Sequence, residues 1–241
     1  MGRRTAVAMA PRKEPSMPQD LHILTLPLPF RMGTVNCYLL PTPAGHVLID
    51  TGPASARKRL HRELESAGCV PGALPFLLLT HGDFDHTGNA ASCRTTFGAK
   101  IAMHPGDAGM AERGDMFVNR KQPNFLIRTL VPLFTRFGKS ERFTPDVLLG
   151  DGYDLSPHGL EARVISLPGH SLGSIGVLTS SGDLFCGDLL DNTKGPSLNA
   201  LMDDPTAGEA SLARLQALDI RRVYPGHGPP FAMERLAQKQ P

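Results

Sequence analysis

"LLLTHGDFDHTGN", residues Leu77 to Asn89, sets His81, Asp83, Asp85 and His86 within six positions, directly after an apolar run. The run, Phe76–Thr80, reads as a buried strand, because it is short, apolar and preceded by Pro and Gly. Four potential metal ligands therefore sit on the turn at the end of a strand. The same arrangement recurs downstream. His170 lies in "SLPGHSLGS" after a strand ending at Leu167, Asp188 in "LFCGDLL", and His227 in "VYPGHGPP". Gly82, Gly169, Gly187 and Gly226 each stand beside one of these residues, where a missing Cβ lets the backbone turn sharply and approach an ion.

The donors are imidazoles and carboxylates with no thiolate, which suits zinc, iron or manganese. Seven candidates, His81, Asp83, Asp85, His86, His170, Asp188 and His227, are too many for one tetrahedral ion. Two ions sharing a bridging carboxylate would use them all. Such a pair can hold a hydroxide and polarise a substrate oxygen, which points to hydrolysis. His22, His46, His61 and His158 lack this context and read as structural or surface residues, whereas His104 in "AMHPGD" could line the same cleft.

Working outward, strands are expected at His22–Pro27, Val35–Leu40, His46–Asp50, Ala99–Met103, Asp146–Leu149, Ala162–Leu167, Ser174–Thr179, Asp183–Cys186 and Arg222–Tyr224. Helices are expected over Ala54–Ala67, Thr87–Phe97, Pro105–Ala111 and Thr206–Leu218, the last offering Ala207, Ala210, Leu212 and Leu215 to a core. Groups of strands with helices between them predict sheets covered by helices, an α/β fold. With no repeat and no linker, residues 21–241 read as one domain behind a disordered tail at 1–20 that is basic and then Pro-rich. Residues 124–137, "NFLIRTLVPLFTRF", are strongly apolar near helical spacing. They read as a buried helix, or as part of a lid or dimer contact within 113–145.

The 241 residues are 41% hydrophobic and 20% charged, ordinary for a globular protein. A net charge of +2 gives no support for nucleic acid or an anionic membrane as partner. No apolar run is long enough to span a bilayer. The 4 cysteines are far apart and form no CxxC pair, which excludes a thiolate zinc site and favours free thiols in a reducing, cytoplasmic setting. The expected partner is a small-molecule substrate, and a homodimer is admitted.

These elements resemble those of the metallo-β-lactamase fold superfamily, over roughly Leu21 to Phe231. "THGDFDHTGN" is similar to its HxHxDH motif, and "PGHSLGS", "CGDLL" and "PGHG" resemble its later motifs. In "LIDTG", Asp50 matches the residue that supports the site from behind the ligands. The resemblance implies an αββα sandwich, two mixed β-sheets flanked by helices. It also implies one metal on His81, position 83 and His170, a second on Asp85, His86 and His227, and Asp188 as the bridge. Asp85 would also help move a proton. The variant is Asp83, where most members have His. A carboxylate adds negative charge, makes the first metal a poorer Lewis acid and admits iron or manganese beside zinc, the expected ion. On this count Asp83→His should shift the site towards zinc and fill it.

The resemblance implies a hydrolase of the glyoxalase II-like group, acting on a small-molecule ester, thioester or lactone through a metal-bound hydroxide. Only about ten residues follow Phe231, too few for the helical C-terminal domain of glyoxalase II itself or the flavodoxin domain of the flavodiiron branch. An iron-dependent oxygenase or oxidoreductase and a non-catalytic metal-binding protein remain open. The loops 109–121 and 191–205 carry no code that names a substrate.

Overall fold

The structure is a computed structural model and describes residues 21–120 and 141–237. The expected tail at 1–20 and the apolar segment 124–137 lie outside the described residues.

Strands β1 (His22–Pro27), β2 (Thr34–Thr42), β3 (Gly45–Ile49), β4 (Phe76–Leu78), β5 (Lys100–Met103) and β6 (Val147–Leu148) form the first sheet in sequence order. β1, β2 and β3 pair antiparallel, and β3 to β6 pair parallel. The second sheet joins β7 (Ala162–Ser166), β8 (Ile175–Thr179), β9 (Asp183–Gly187), β12 (Arg222–Pro225) and β13 (Phe231–Ala232), in the order β13-β12-β9-β8-β7. Its β9–β12 pair is parallel and the others antiparallel, so both sheets are mixed. Between β9 and β12 in sequence, β10 (Leu190–Asp191) and β11 (Ser197–Leu198) form a small separate ribbon where the sequence suggested a plain loop.

Period-two alternation within these strands assigns every layer. In β4 and the residue after it, Phe76 and Leu78 pack against the second sheet, while Leu77 and Leu79 face helices. β9 repeats this with Phe185 facing inward, and Leu184 and Cys186 outward. The seam between the sheets is filled by Tyr38, Ile49, Phe76, Val177, Phe185 and Tyr224 among others. Phe185 and Tyr224 stack at 4.8 Å, with Tyr38 edge-on to both. Helices α1 (Arg57–Ser66) and α3 (Ala90–Phe97) cover the first sheet through Leu60, Leu64, Cys93 and Phe97. α5 (Pro205–Gln216) and α6 (Glu234–Ala237) cover the second through Leu215 and Leu236. The order of layers is therefore helix, sheet, sheet, helix, as expected.

Two expectations are corrected. The single helix expected over Thr87–Phe97 is two, α2 (Phe84–Thr87) and α3, broken at Gly88 and Asn89. The break is held by Asn89, whose side-chain amide donates to the carbonyls of Thr51, Gly52 and Pro53 and so ties the turn to the end of β3. In α5, Ala210 is exposed, and Gly208 and Ser211 take the buried face. The loop at Gly169 passes so close to Gly208 that a Cβ on Gly169 would strike the α5 backbone. Among the described residues no helix is long and apolar enough to cross a membrane. All four cysteines are buried and free.

Candidate metal centre

Asp50, His81, His170, Asp188 and His227 follow β3, β4, β7, β9 and β12, so strand ends from both sheets converge on one cleft. Asp85 and His86 reach it from α2, of which Asp83 is the N-terminal flanking residue. His81, Asp83, His86, His170 and Asp188 are buried and His227 nearly so. All seven predicted ligands come together. Three overlapping groups have ligand atoms within 4.8 Å of one another: His81, Asp83 and His170; Asp85, His86 and His227; and His81, His86 and Asp188.

The four imidazoles share one orientation. His86 Nδ1 donates to Asp50 Oδ2 at 2.8 Å, His170 Nδ1 to the Leu201 carbonyl at 2.6 Å, and His227 Nδ1 to the Thr34 carbonyl at 2.7 Å. His81 Nδ1 lies 3.0 Å from Thr80 Oγ1, whose own hydrogen goes to Asp50 Oδ2, so the hydroxyl accepts from the ring. Each Nδ1 is thus engaged by an outer acceptor, and each Nε2 lone pair is turned inward. The His81 and His86 Nε2 atoms and Asp188 Oδ1 are buried with no hydrogen-bond partner. Buried polar atoms left bare cost free energy, and a divalent cation among them would satisfy all three. The residues fit the ion pair that the donor set implies.

Asp50 is the support predicted from "LIDTG". Its carboxylate accepts from the Thr80 amide, the Thr80 hydroxyl and His86, and so fixes two ligand-bearing turns. It holds this place with φ at 61°, a conformation unusual for a non-glycine residue. At Gly226 a Cβ would collide with Asp188 Oδ1 and His86 Cε1, so the "PGHG" glycine is required by the ligands.

Charge follows the geometry. Burial opposes ionisation of every group here, yet Asp188 and Asp50 hold the His86 imidazolium well above its usual range. Burial likewise opposes charge on His170 and His227, but Asp83 raises the first to about 9 and Asp188 the second to about 11. The reciprocal contacts keep Asp83, beside His170 and His81, and Asp188, beside His86 and His227, well below the carboxylate range. Without an ion the cluster balances carboxylates with protons, and metal binding would displace those protons.

Of the other histidines, His104 is not among the grouped candidate ligands. Its Nδ1 accepts from the Gly106 amide and caps α4 (Pro105–Arg113). His46 bonds the Ala73 carbonyl, His61 pairs with Ser92, and His158 stacks on Phe76, as structural residues do.

Two residues at the site were not foreseen. Asp107 is fully buried and accepts from the Gly82 and Gly173 amides and the Ser171 hydroxyl, tying the turn after β4 to the loop that carries His170. Arg120 reaches Asp83 Oδ1 through Nη1, and its Nε lies 2.7 Å from Asp203 Oδ2. Neither stands in a recognisable motif. An acid near a helix start is the one weak signal for Asp107.

Residues 31–227 match the family profile of the metallo-beta-lactamase superfamily. The chain is 28% identical to the probable metallo-hydrolase YqjP of Bacillus subtilis, over 92% of this chain and 76% of that relative. It is also 28% identical to a hydroxyacylglutathione hydrolase of Anaeromyxobacter dehalogenans, over 83% of this chain but only 63% of that one. Among solved structures it resembles a metallo-beta-lactamase family protein from Thermus thermophilus, with a TM-score of 0.69 at 28% identity, covering 91% of this chain and 77% of that one. It resembles TTHA1623, solved in a di-iron-bound form, with a TM-score of 0.65 at 28% identity, covering 89% and 98%. With the fold, the strand-end ligands and this match in agreement, the chain belongs to the metallo-β-lactamase superfamily.

Proposed function

We propose that the protein is a dinuclear metal-dependent hydrolase of a small-molecule ester, thioester or lactone. The observation that carries this reading is the convergence of four Nε2 atoms, each set by an outer Nδ1 contact, on three carboxylates. His81, Asp83 and His170 would hold one ion, Asp85, His86 and His227 the other, with Asp188 between them. Bound there, divalent ions supply Lewis acidity and a nucleophile formed from water at neutral pH. The protein's part is to fix the ligands before substrate arrives and to move a proton. Asp85 has one carboxylate oxygen 3.4 Å from His227 Nε2 and is the residue placed to take that proton to a leaving group. Leu172 and Leu201, 62% and 74% exposed, give apolar surface beside His170. They suit a substrate with an apolar acyl or ring portion. The names metallo-hydrolase and hydroxyacylglutathione hydrolase borne by relatives support the class of bond.

The test is a panel of thioesters, lactones and carboxylic esters, assayed before and after dialysis against a chelator. Hydrolysis should vanish with the metal and return with zinc. Full activity in metal-free protein would refute the mechanism. A redox reading on iron has one specific support, the oxygen ligand Asp83 together with the di-iron form of TTHA1623. It requires iron in the purified protein and oxygen uptake, and zinc alone with no uptake would exclude it.

A further inference from the structure

We propose that Arg120 is the built-in counter-charge of Asp83, so that the Asp83–Arg120 pair as a unit replaces the neutral histidine expected at that position. The inference rests on the reading that His81, Asp83 and His170 take a metal.

The two oxygens of Asp83 face different ways. Oδ2 points at the proposed first metal position, 2.9 Å from His170 Nε2 and 3.5 Å from His81 Nε2. Oδ1 is taken by the Arg120 guanidinium. A carboxylate clamped on one oxygen offers the other as a single, directed donor, as an imidazole does. The guanidinium is only 8% exposed, so little solvent screens its charge from Asp83. Its remaining carboxylate partner, Asp203, is on the outer side and 35% exposed, where its own charge is better screened. Arg120 Nη2 also lies 3.5 Å from the His170 carbonyl, which places the cation against the loop of another ligand.

The count of ligand charges made from the sequence is therefore incomplete. Asp83 adds one negative charge, and Arg120, which it shares with the more exposed Asp203, offsets part of it. Asp83→His alone would leave a buried guanidinium facing an ion. The expectation that this single substitution fills the first site is reversed.

The experiment measures zinc and manganese stoichiometry and affinity by equilibrium dialysis with elemental analysis. Cobalt(II) absorption spectra report the first-site ligand field. The proteins are wild type, Arg120→Gln, Arg120→Lys, Asp83→His and the double variant Asp83→His/Arg120→Gln, each checked for folding by circular dichroism. Arg120→Gln should bind its first-site ion at least about tenfold more tightly, because Asp83 then acts with its full charge. Arg120→Lys, which keeps the charge and is least disruptive to folding, should stay within about threefold of wild type. Asp83→His should lose affinity at the first site, and adding Arg120→Gln should restore it by about tenfold. A merely structural Arg120 predicts the opposite signs. Arg120→Gln would then weaken binding, and the double variant would be no better than Asp83→His. Either result overturns the proposal while leaving the metal centre intact. A wild-type protein that takes up no ion overturns the metal reading itself.

Discussion

Replacing Asp50 by Asn tests whether the site is assembled by its outer hydrogen bonds. The Asp50 carboxylate accepts three bonds of 2.8 Å, from the Thr80 amide to Oδ1 and from the Thr80 hydroxyl and His86 Nδ1 to Oδ2. Asn keeps one acceptor. If its oxygen stays on the Thr80 amide, its NH2 group faces two donors. His86 can relieve this only by giving up its Nδ1 proton and keeping the one on Nε2, which points at Asp188 Oδ1, 3.3 Å away, and is then lost as a ligand. Two bonds to a charged acceptor disappear, at about 1.5–3 kcal/mol each. Some relaxation is expected, so metal-free Asp50→Asn should be destabilised by about 3 kcal/mol. Metal affinity should fall about 10- to 100-fold, mostly at the ion held by His86. Chemical denaturation of the metal-free proteins and competition with a chromophoric chelator measure the two effects separately. Unchanged affinity at the His86 ion would refute the claim that Asp50 sets the His86 tautomer.

Gly226→Ala places a methyl group against Asp188 and His86. It should cost about 1–3 kcal/mol in stability and weaken the second ion more than the first, as read by the same competition assay. Equal losses at both ions would point to general misfolding. Burial raises the thiols of Cys69 to about 11 and Cys93 to about 12, and pushes Cys37 and Cys186 up as well. A raised thiol pKa keeps the reactive thiolate scarce at neutral pH and is relieved only on unfolding. Native protein at pH 8 should therefore resist a disulfide reagent, whereas denatured protein should react at all four. Rapid labelling of the folded chain would contradict the packing of both outer layers.

The convergence of the seven candidate ligands was legible because strand, turn and ligand recur in sequence, and turn chemistry is local. The layers were legible through the order of strands and helices and the family resemblance, and alternation along each pleated strand is their physical basis. Arg120 was not, because its meaning depends on a carboxylate 37 residues away, and "VNRK" has no pattern that announces it. Asp107 was hidden similarly, its three donors coming from residues 82, 171 and 173. The break at Asn89 was not foreseen because the side chain that stops the helix bonds to the end of β3, distant in sequence. Ala210 misled because helical spacing ranks residues by apolarity. The face that α5 buries is set by its neighbours, with Ser211 donating to the Pro168 carbonyl and Gly208 lying against the Gly169 backbone.

Asp107 has a consequence for cohesion. The first sheet delivers His81, Asp83, Asp85 and His86, and the second delivers His170, Asp188 and His227, so neither half owns a complete set of candidate ligands. Asp107 rivets the two halves together at that seam, with one oxygen on the amide of Gly82 and the other on that of Gly173. An ion bound across the seam adds its binding free energy to the same rivet. Pulling the sheets apart and releasing such an ion would then be one thermodynamic event, and ion occupancy would report how firmly the sandwich is closed.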